Sequence, residues 1–415
     1  MAGNKWHGRR RRGRLLSASH TNKKSPMSHR PALFPVLLAG ATLLLVVHGL
    51  GRFVYTPLLP WLVEDGLLSV QQGASIASWN YLGYLIGALL ALRWHRVAQI
   101  RRSLPWALAL HLLSALLQTQ AQSPDALAAL RLANGIANGL VFVQAPSLIL
   151  EWLARHQRAS SSGLVYLGVC VGLIVSSLLV SLSDGLLQGA ERWWPAALLS
   201  LPLAWWGWRQ LAKLDLPNET PAGDPATAPS GRLFDRASTP LFLSYAGAGM
   251  GYILPMTFLP MIARLQVEPG DFLIDGSWLV VALSTLPSPW LWNRLGVRLG
   301  DDIALRLSYL MQLLGVLAVL LLPGASGILL CAVLVGGTFL GTVLLTQRLA
   351  RTLHPHQGPR LSAALIALYG LTQLAAPWLT SLWMGVGGSL HSAFWLGAGA
   401  LLWGLLWMLA VPRRR

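Results

Sequence analysis

The chain has 415 residues, 54 % of them hydrophobic and 11 % charged, where a typical soluble domain has about 25 % charged residues. A mean hydropathy of +0.53 excludes intrinsic disorder, and so few charges could not cover a water-soluble surface of this size. The 32 basic and 15 acidic residues leave a net charge of +17, which points to nucleic acid only if the basic residues fail to follow a topology.

Residues 1–30 form a basic tail, with Lys5, Arg9–Arg12, Arg14, Lys23, Lys24 and Arg30 and no acidic residue. This reads as a solvated cytoplasmic segment, and Met27 offers an alternative start. No small-residue cleavage site follows the first apolar run, so that run is read as a retained span. At about 20 apolar residues per crossing, the runs near 31–62, 73–92, 103–120, 124–150, 161–182 and 193–212 predict a six-helix bundle over 31–212. Residues 213–239, with Pro217, Pro221, Pro225 and Pro229, read as a flexible cytoplasmic linker. Six more runs, near 240–263, 273–293, 303–322, 326–347, 361–383 and 389–411, predict a second bundle over 240–411, before a basic tail at 412–415.

In this twelve-span reading, 28 Lys and Arg fall on the side of the N-terminus and two, Arg192 and Arg264, on the other. Both termini are therefore expected in the cytoplasm. The net charge then reflects topology and implies no nucleic-acid partner. Cys170 and Cys331, both in apolar runs, support neither a disulfide framework nor a metal site.

A faint repeat connects the halves. Gly51–Pro60 reads GRFVYTPLLP and Gly251–Pro260 reads GYILPMTFLP, an offset of 200; Gly135 and Gly139 recur as Gly337 and Gly341 at an offset of 202. Parallel repeats about an axis along the membrane normal are one known transporter design. The segment from His48 to Pro60 and the run Asn80-Tyr81-Leu82-Gly83-Tyr84-Leu85-Ile86-Gly87 resemble the YbfB/YjiJ-type group of the bacterial major facilitator superfamily. Arg131, Gly135 and Gly139 are similar to that superfamily's R-x-x-x-G-x-x-x-G signature. Asn293-Arg294-Leu295-Gly296-Val297-Arg298 is similar to its D-R-x-G-R loop, with Asn in place of Asp. In the 2–3 loop only Arg93, Arg96, Arg101 and Arg102 remain of that motif. The resemblance implies an all-α integral membrane protein of two pseudo-symmetric six-helix bundles in a bacterial inner membrane, functional as a monomer and without a cofactor. It also implies cytoplasmic gating by Arg93, Glu151, Arg294 and Arg298.

Ionisable residues inside a span are costly and therefore functional candidates. Arg52 lies roughly 13 Å and Arg131 roughly 9 Å from the outer ends of the first and fourth runs, at 1.5 Å per residue. Two guanidiniums at such depth would suit a carboxylate; Arg131 could equally fix helix packing. His48, Arg52, Tyr55 and Thr56 can share one helical stripe, and His48 could carry a coupling proton. No acidic residue lies deep in a run, and Asp275 comes closest, so a proton-coupled mechanism would use His48 or Asp275, or a substrate that carries the proton itself. Asn80, Tyr81, Tyr84, Asn134, Asn138, Tyr252, Thr257, Tyr369 and Gln373 are further polar candidates to line a cavity. With no His/Cys/Asp/Glu cluster and no G-x-S-x-G, the chain does not read as an enzyme. The expected function is secondary transport of a small organic, anionic solute across the bilayer. The alternatives are an exporter of amphipathic compounds, or a sensor or scaffold of the same fold.

Overall fold

A computed structural model describes residues 33–217, 234–354 and 358–412, with backbone alone at 159–160, 358–360 and 362. The basic tail, the proline-rich middle of the linker and the C-terminal arginines lie outside the described residues. Among those described, the regular structure is entirely helical. The α-helices run in the order α1 Leu33–Leu44, α2 Tyr55–Glu64, α3 Val70–Arg93, α4 Val97–Gln118, α5 Pro124–Arg155, α6 Leu167–Leu182 and α7 Trp194–Ala212. After the linker follow α8 Thr239–Gln266, α9 Leu273–Thr285, α10 Ser288–Leu299, α11 Asp301–Leu321, α12 Gly324–Leu353, α13 Gly358–Gly385 and α14 Leu390–Leu409. A π-helical stretch, Leu45–Phe53, fuses α1 and α2 into one rod.

Helix starts follow from local chemistry. Ser69 and Ser389 close capping boxes on α3 and α14, and Ser123 accepts from the Ala126 amide ahead of Pro124 at the first position of α5. Among the described residues nine helical stretches are long and apolar enough to cross a membrane. The third, sixth and eighth runs fold as α4, α7 and the pair α9–α10. The first of these contains Arg101 and Arg102, the second is rich in tryptophan, and the third is interrupted around Pro287. Large apolar side chains such as Phe34, Trp106, Leu182, Trp205, Leu314, Trp378 and Leu406 are exposed on the outward faces, as a lipid-facing surface requires.

Packing is closest between α3 and α5, where glycines stand in for side chains. A Cβ on Gly135 would lie 2.2 Å from the Asn80 carbonyl oxygen, and one on Gly87 2.1 Å from that of Ile136. The two backbones therefore touch, as small residues at four-residue spacing allow. Helix α8 is buried nearly all round, which marks it as central. Against it lies α2, where the Thr56 hydroxyl donates to the Met256 carbonyl at 2.8 Å, a pair 200 residues apart. Polar contacts between the halves extend from here toward the end carrying Glu64, Gln71 and Arg264. We call that end distal, and the end carrying Leu33, Arg155 and His354 proximal.

Candidate functional site

The π-helical stretch builds the centre of the site. Its wide turn carries two glycines on its packed side: a Cβ on Gly49 would lie 2.4 Å from Gly172 Cα, and one on Gly51 2.6 Å from His111 Cε1. Pro57, one turn on, brings no N–H to the carbonyls below it. The Arg131 guanidinium donates to two carbonyls of this turn, with Nη1 bonded to that of Gly51 at 2.6 Å and Nη2 to that of Arg52 at 3.1 Å. Its charge rests on the rings of Tyr55 and Trp193, at 4.8 and 5.5 Å.

Arg52 points the other way, toward the opposite half. It is 4 % exposed, and its guanidinium lies over the rings of Tyr84 and Tyr81 at 4.3 and 4.6 Å. Its Nη2 donates to Gln373 Oε1 at 2.5 Å, and Gln373 Nε2 donates to the Tyr252 hydroxyl at 2.6 Å. Arg52 Nε is buried without a partner among the described residues. Among those residues no carboxylate pairs with Arg52 or Arg131 either. Beyond Gln373, the rings of Tyr245, Tyr369, Tyr252 and Phe339 stack within 11° of parallel, at centroid spacings of 4.3, 5.4 and 5.8 Å. His48 stacks on Phe142 at 4.0 Å with its edge toward Tyr84, and its Nδ1 is likewise buried without a partner among the described residues.

The stripe expected from His48, Arg52, Tyr55 and Thr56 divides, because the π turn alters the angle between successive side chains. His48 and Arg52 join the aromatic centre. Tyr55 donates to the Gly73 carbonyl at 2.8 Å, within the N-terminal half. Asn80 donates to the Arg131 carbonyl at 2.9 Å. Asn134 and Asn138 close on a histidine the sequence reading passed over. His111 Nδ1 meets Asn138 Oδ1 at 3.0 Å, Asn138 donates to Asn134 at 3.0 Å, and Asn134 to the Ser114 hydroxyl at 3.0 Å. With Arg131, these side chains form the inner scaffold of the N-terminal half.

A family model described as an uncharacterised MFS-type transporter, YbfB, matches residues 44–409. The chain belongs to this family of major facilitator superfamily transporters. No curated protein matches the sequence. Among solved structures, a point mutant of the nucleoside transporter NupG is similar at a TM-score of 0.71, with 14 % identity over 92 % of this chain and 100 % of that one. NupG itself gives 0.68, with 15 % identity over 91 % and 100 %. An auto-inhibited peptide transporter of the POT family gives 0.67, with 13 % identity over 91 % and 97 %. At such identities the likeness concerns the fold. The family makes this chain a multi-pass membrane protein and a secondary transporter of a small-molecule solute, not an enzyme.

Thr257 meets the Tyr81 hydroxyl of the other half at 2.8 Å, and the other named residues lie at the two ends. Asp275 sits on the distal rim, where Arg264 Nη2 holds it at 2.8 Å and Nη1 pairs with Glu64 of the other half. Trp61 lies between two guanidiniums, with Arg264 at 3.8 Å and Arg192 at 4.5 Å. Arg192 in turn binds Asp65 at 2.5 Å, and the Gly189 amide donates to the same carboxylate at 2.7 Å. Burial alone would raise the Asp65 pKa, but these hydrogen bonds and the charges of Arg192 and Arg264 outweigh it and hold the carboxyl below its ordinary range. At the proximal end Arg93, Arg294 and Arg298 are exposed, and Glu151 pairs with Arg155 one turn along its own helix. Here the sequence reading missed a cluster. Arg348 donates to Asn293 at 2.7 Å and pairs with Asp301 at 3.1 Å, so Asp301 supplies the carboxylate that Asn293 lacks.

Proposed function

We propose that this chain moves a small organic anion across a bacterial inner membrane, as a monomer, by alternating access of two six-helix halves with twelve crossings and cytoplasmic termini. Arg52 is the anion-binding group. The observation that carries this reading is a buried guanidinium between the halves whose side-chain partner among the described residues is a neutral amide, Gln373. A charge desolvated without a counter-ion is costly, and an anionic solute would offset that cost on binding. His48, beside Arg52, is the candidate for a coupling proton, because a proton there and the solute's negative charge would favour one another. Uptake into proteoliposomes across a panel of small carboxylates tests the reading. Arg52→Gln should abolish uptake of whichever carboxylate is taken up. Arg52→Lys, which keeps the charge and loses the planar fork, should reduce it about tenfold. Undiminished transport by Arg52→Gln would overturn the proposal. The aromatic lining also supports a second reading, export of amphipathic compounds, which a drug-hypersensitive deletion strain would favour.

A further inference from the structure

The Gln373 carboxamide is a flat group with one oxygen on Arg52 Nη2 and its nitrogen on the Tyr252 hydroxyl. It comes from the half opposite to Arg52, 321 residues away, so the bond cannot survive any separation of the halves at this level. The neighbouring donor on the same edge of the guanidinium, Arg52 Nε, is buried and has no partner among the described residues. Nε and Nη2 together form the side-on edge that binds a carboxylate through two parallel hydrogen bonds, and Gln373 fills one of its two positions.

The surroundings of that edge are equally specific. On one side α3 presents Tyr81 and Tyr84 with their faces against the guanidinium. On the other, α8, α12 and α13 hold Tyr245, Tyr252, Phe339 and Tyr369 within 11° of parallel. Aromatic faces thus lie against the guanidinium, and a second set of rings, parallel to one another, is tied to it through Gln373 and the Tyr252 hydroxyl, surroundings that favour flat groups.

We infer that the solute is a planar aromatic carboxylate, its carboxylate on the Nε–Nη2 edge of Arg52 and its ring between the tyrosines of the two halves. Gln373 is then a place-holder whose carboxamide oxygen takes one of the two carboxylate positions on that edge. The inference rests on the reading of Arg52 as the anion site and narrows it. A saturated ring or an aliphatic acid would keep the fork and lose the stacking. A neutral aromatic amide would keep the stacking and lose the charge.

Calorimetric titration of the purified full-length protein with benzoate, cyclohexanecarboxylate and benzamide separates these contributions. Benzoate should bind about fivefold more tightly than cyclohexanecarboxylate, the worth of an aromatic stacking pair, and benzamide should not bind measurably. Tyr252→Leu should remove the preference between the two acids, whereas Tyr252→Phe, which keeps the ring, should retain it. Equal binding of the two acids by the unaltered protein would overturn the aromatic inference and leave the anion reading standing. Benzamide binding as tightly as benzoate would overturn the anion reading, and no binding by either acid would overturn both.

Discussion

Two buried arginines with the same side chain meet opposite surroundings. Arg131 uses its donors on the Gly51 and Arg52 carbonyls, so it holds the π turn in shape. Arg131→Leu should lower the melting temperature in detergent, since each buried carbonyl left without a donor costs about 1–3 kcal/mol. Arg52 is held by one neutral partner and aromatic faces, an arrangement that leaves its charge uncompensated. Arg52→Gln should therefore leave the melting temperature unchanged or raise it, while transport is lost. A function that depends on strain predicts this opposition between stability and activity. Parallel losses of stability in both variants would show that Arg52 is only another packing element.

At the scale of the element, the two glycine motifs that the repeat relates are not equivalent. Gly135 meets the backbone of Asn80 at 2.2 Å for an added Cβ, whereas a Cβ on Gly337 would have its nearest neighbour, the Ser284 carbonyl oxygen, at 3.7 Å. Gly135→Ala should force α3 and α5 apart and cost about 1–3 kcal/mol, the usual range for overpacking. Gly337→Ala should be nearly neutral in the same melting assay. Equal effects would contradict the asymmetry. The π-helical stretch is the other element on which the site depends, because its wide turn sends Arg52 toward the opposite half while Gly51 backs onto His111. A regular α-helix would have kept Tyr55 near the stripe of His48 and Arg52.

For the molecule as a whole, the distal end is joined between halves by the Glu64–Arg264 pair above Trp61. Half-exposed Glu64 limits the worth of that pair to about 1 kcal/mol or less. Glu64→Gln should shift the carrier up to about fivefold toward states with the distal end parted. Spin labels at the exposed distal positions Leu186 and Phe272 would report a longer distance, and an unchanged distribution would exclude a latch. Asp65 adds a pH dependence of defined sign. Its folded pKa lies below the ordinary value, so its stabilisation is complete above about pH 4 and is lost as the pH falls through the lower folded value. The melting temperature of the native protein should drop over that acid interval more steeply than that of Asp65→Asn. Identical profiles would show that the Asp65 carboxylate adds nothing to the stability of the fold.

Much of this was legible in the amino-acid order. A bilayer imposes a one-dimensional rule, apolar runs of fixed length separated by charges, and an arginine inside such a run is conspicuous because its burial is costly. Arg52 and Arg131 stand out for that reason, and the glycines stand out by their four-residue spacing, a small-residue pattern for close helix packing, as does the family resemblance. Only the tertiary structure decided what each residue meets. The π turn has no residue pattern of its own, and His111 is one polar side chain among several in α4. The partners Gln373, Met256 and Arg264 lie some 200 to 321 residues from Arg52, Thr56 and Glu64. Hydropathy records how deep a side chain sits in the membrane. Which way it faces across the bundle depends on helix rotation and packing, and that rotation divides the two arginines into a scaffold and a candidate site.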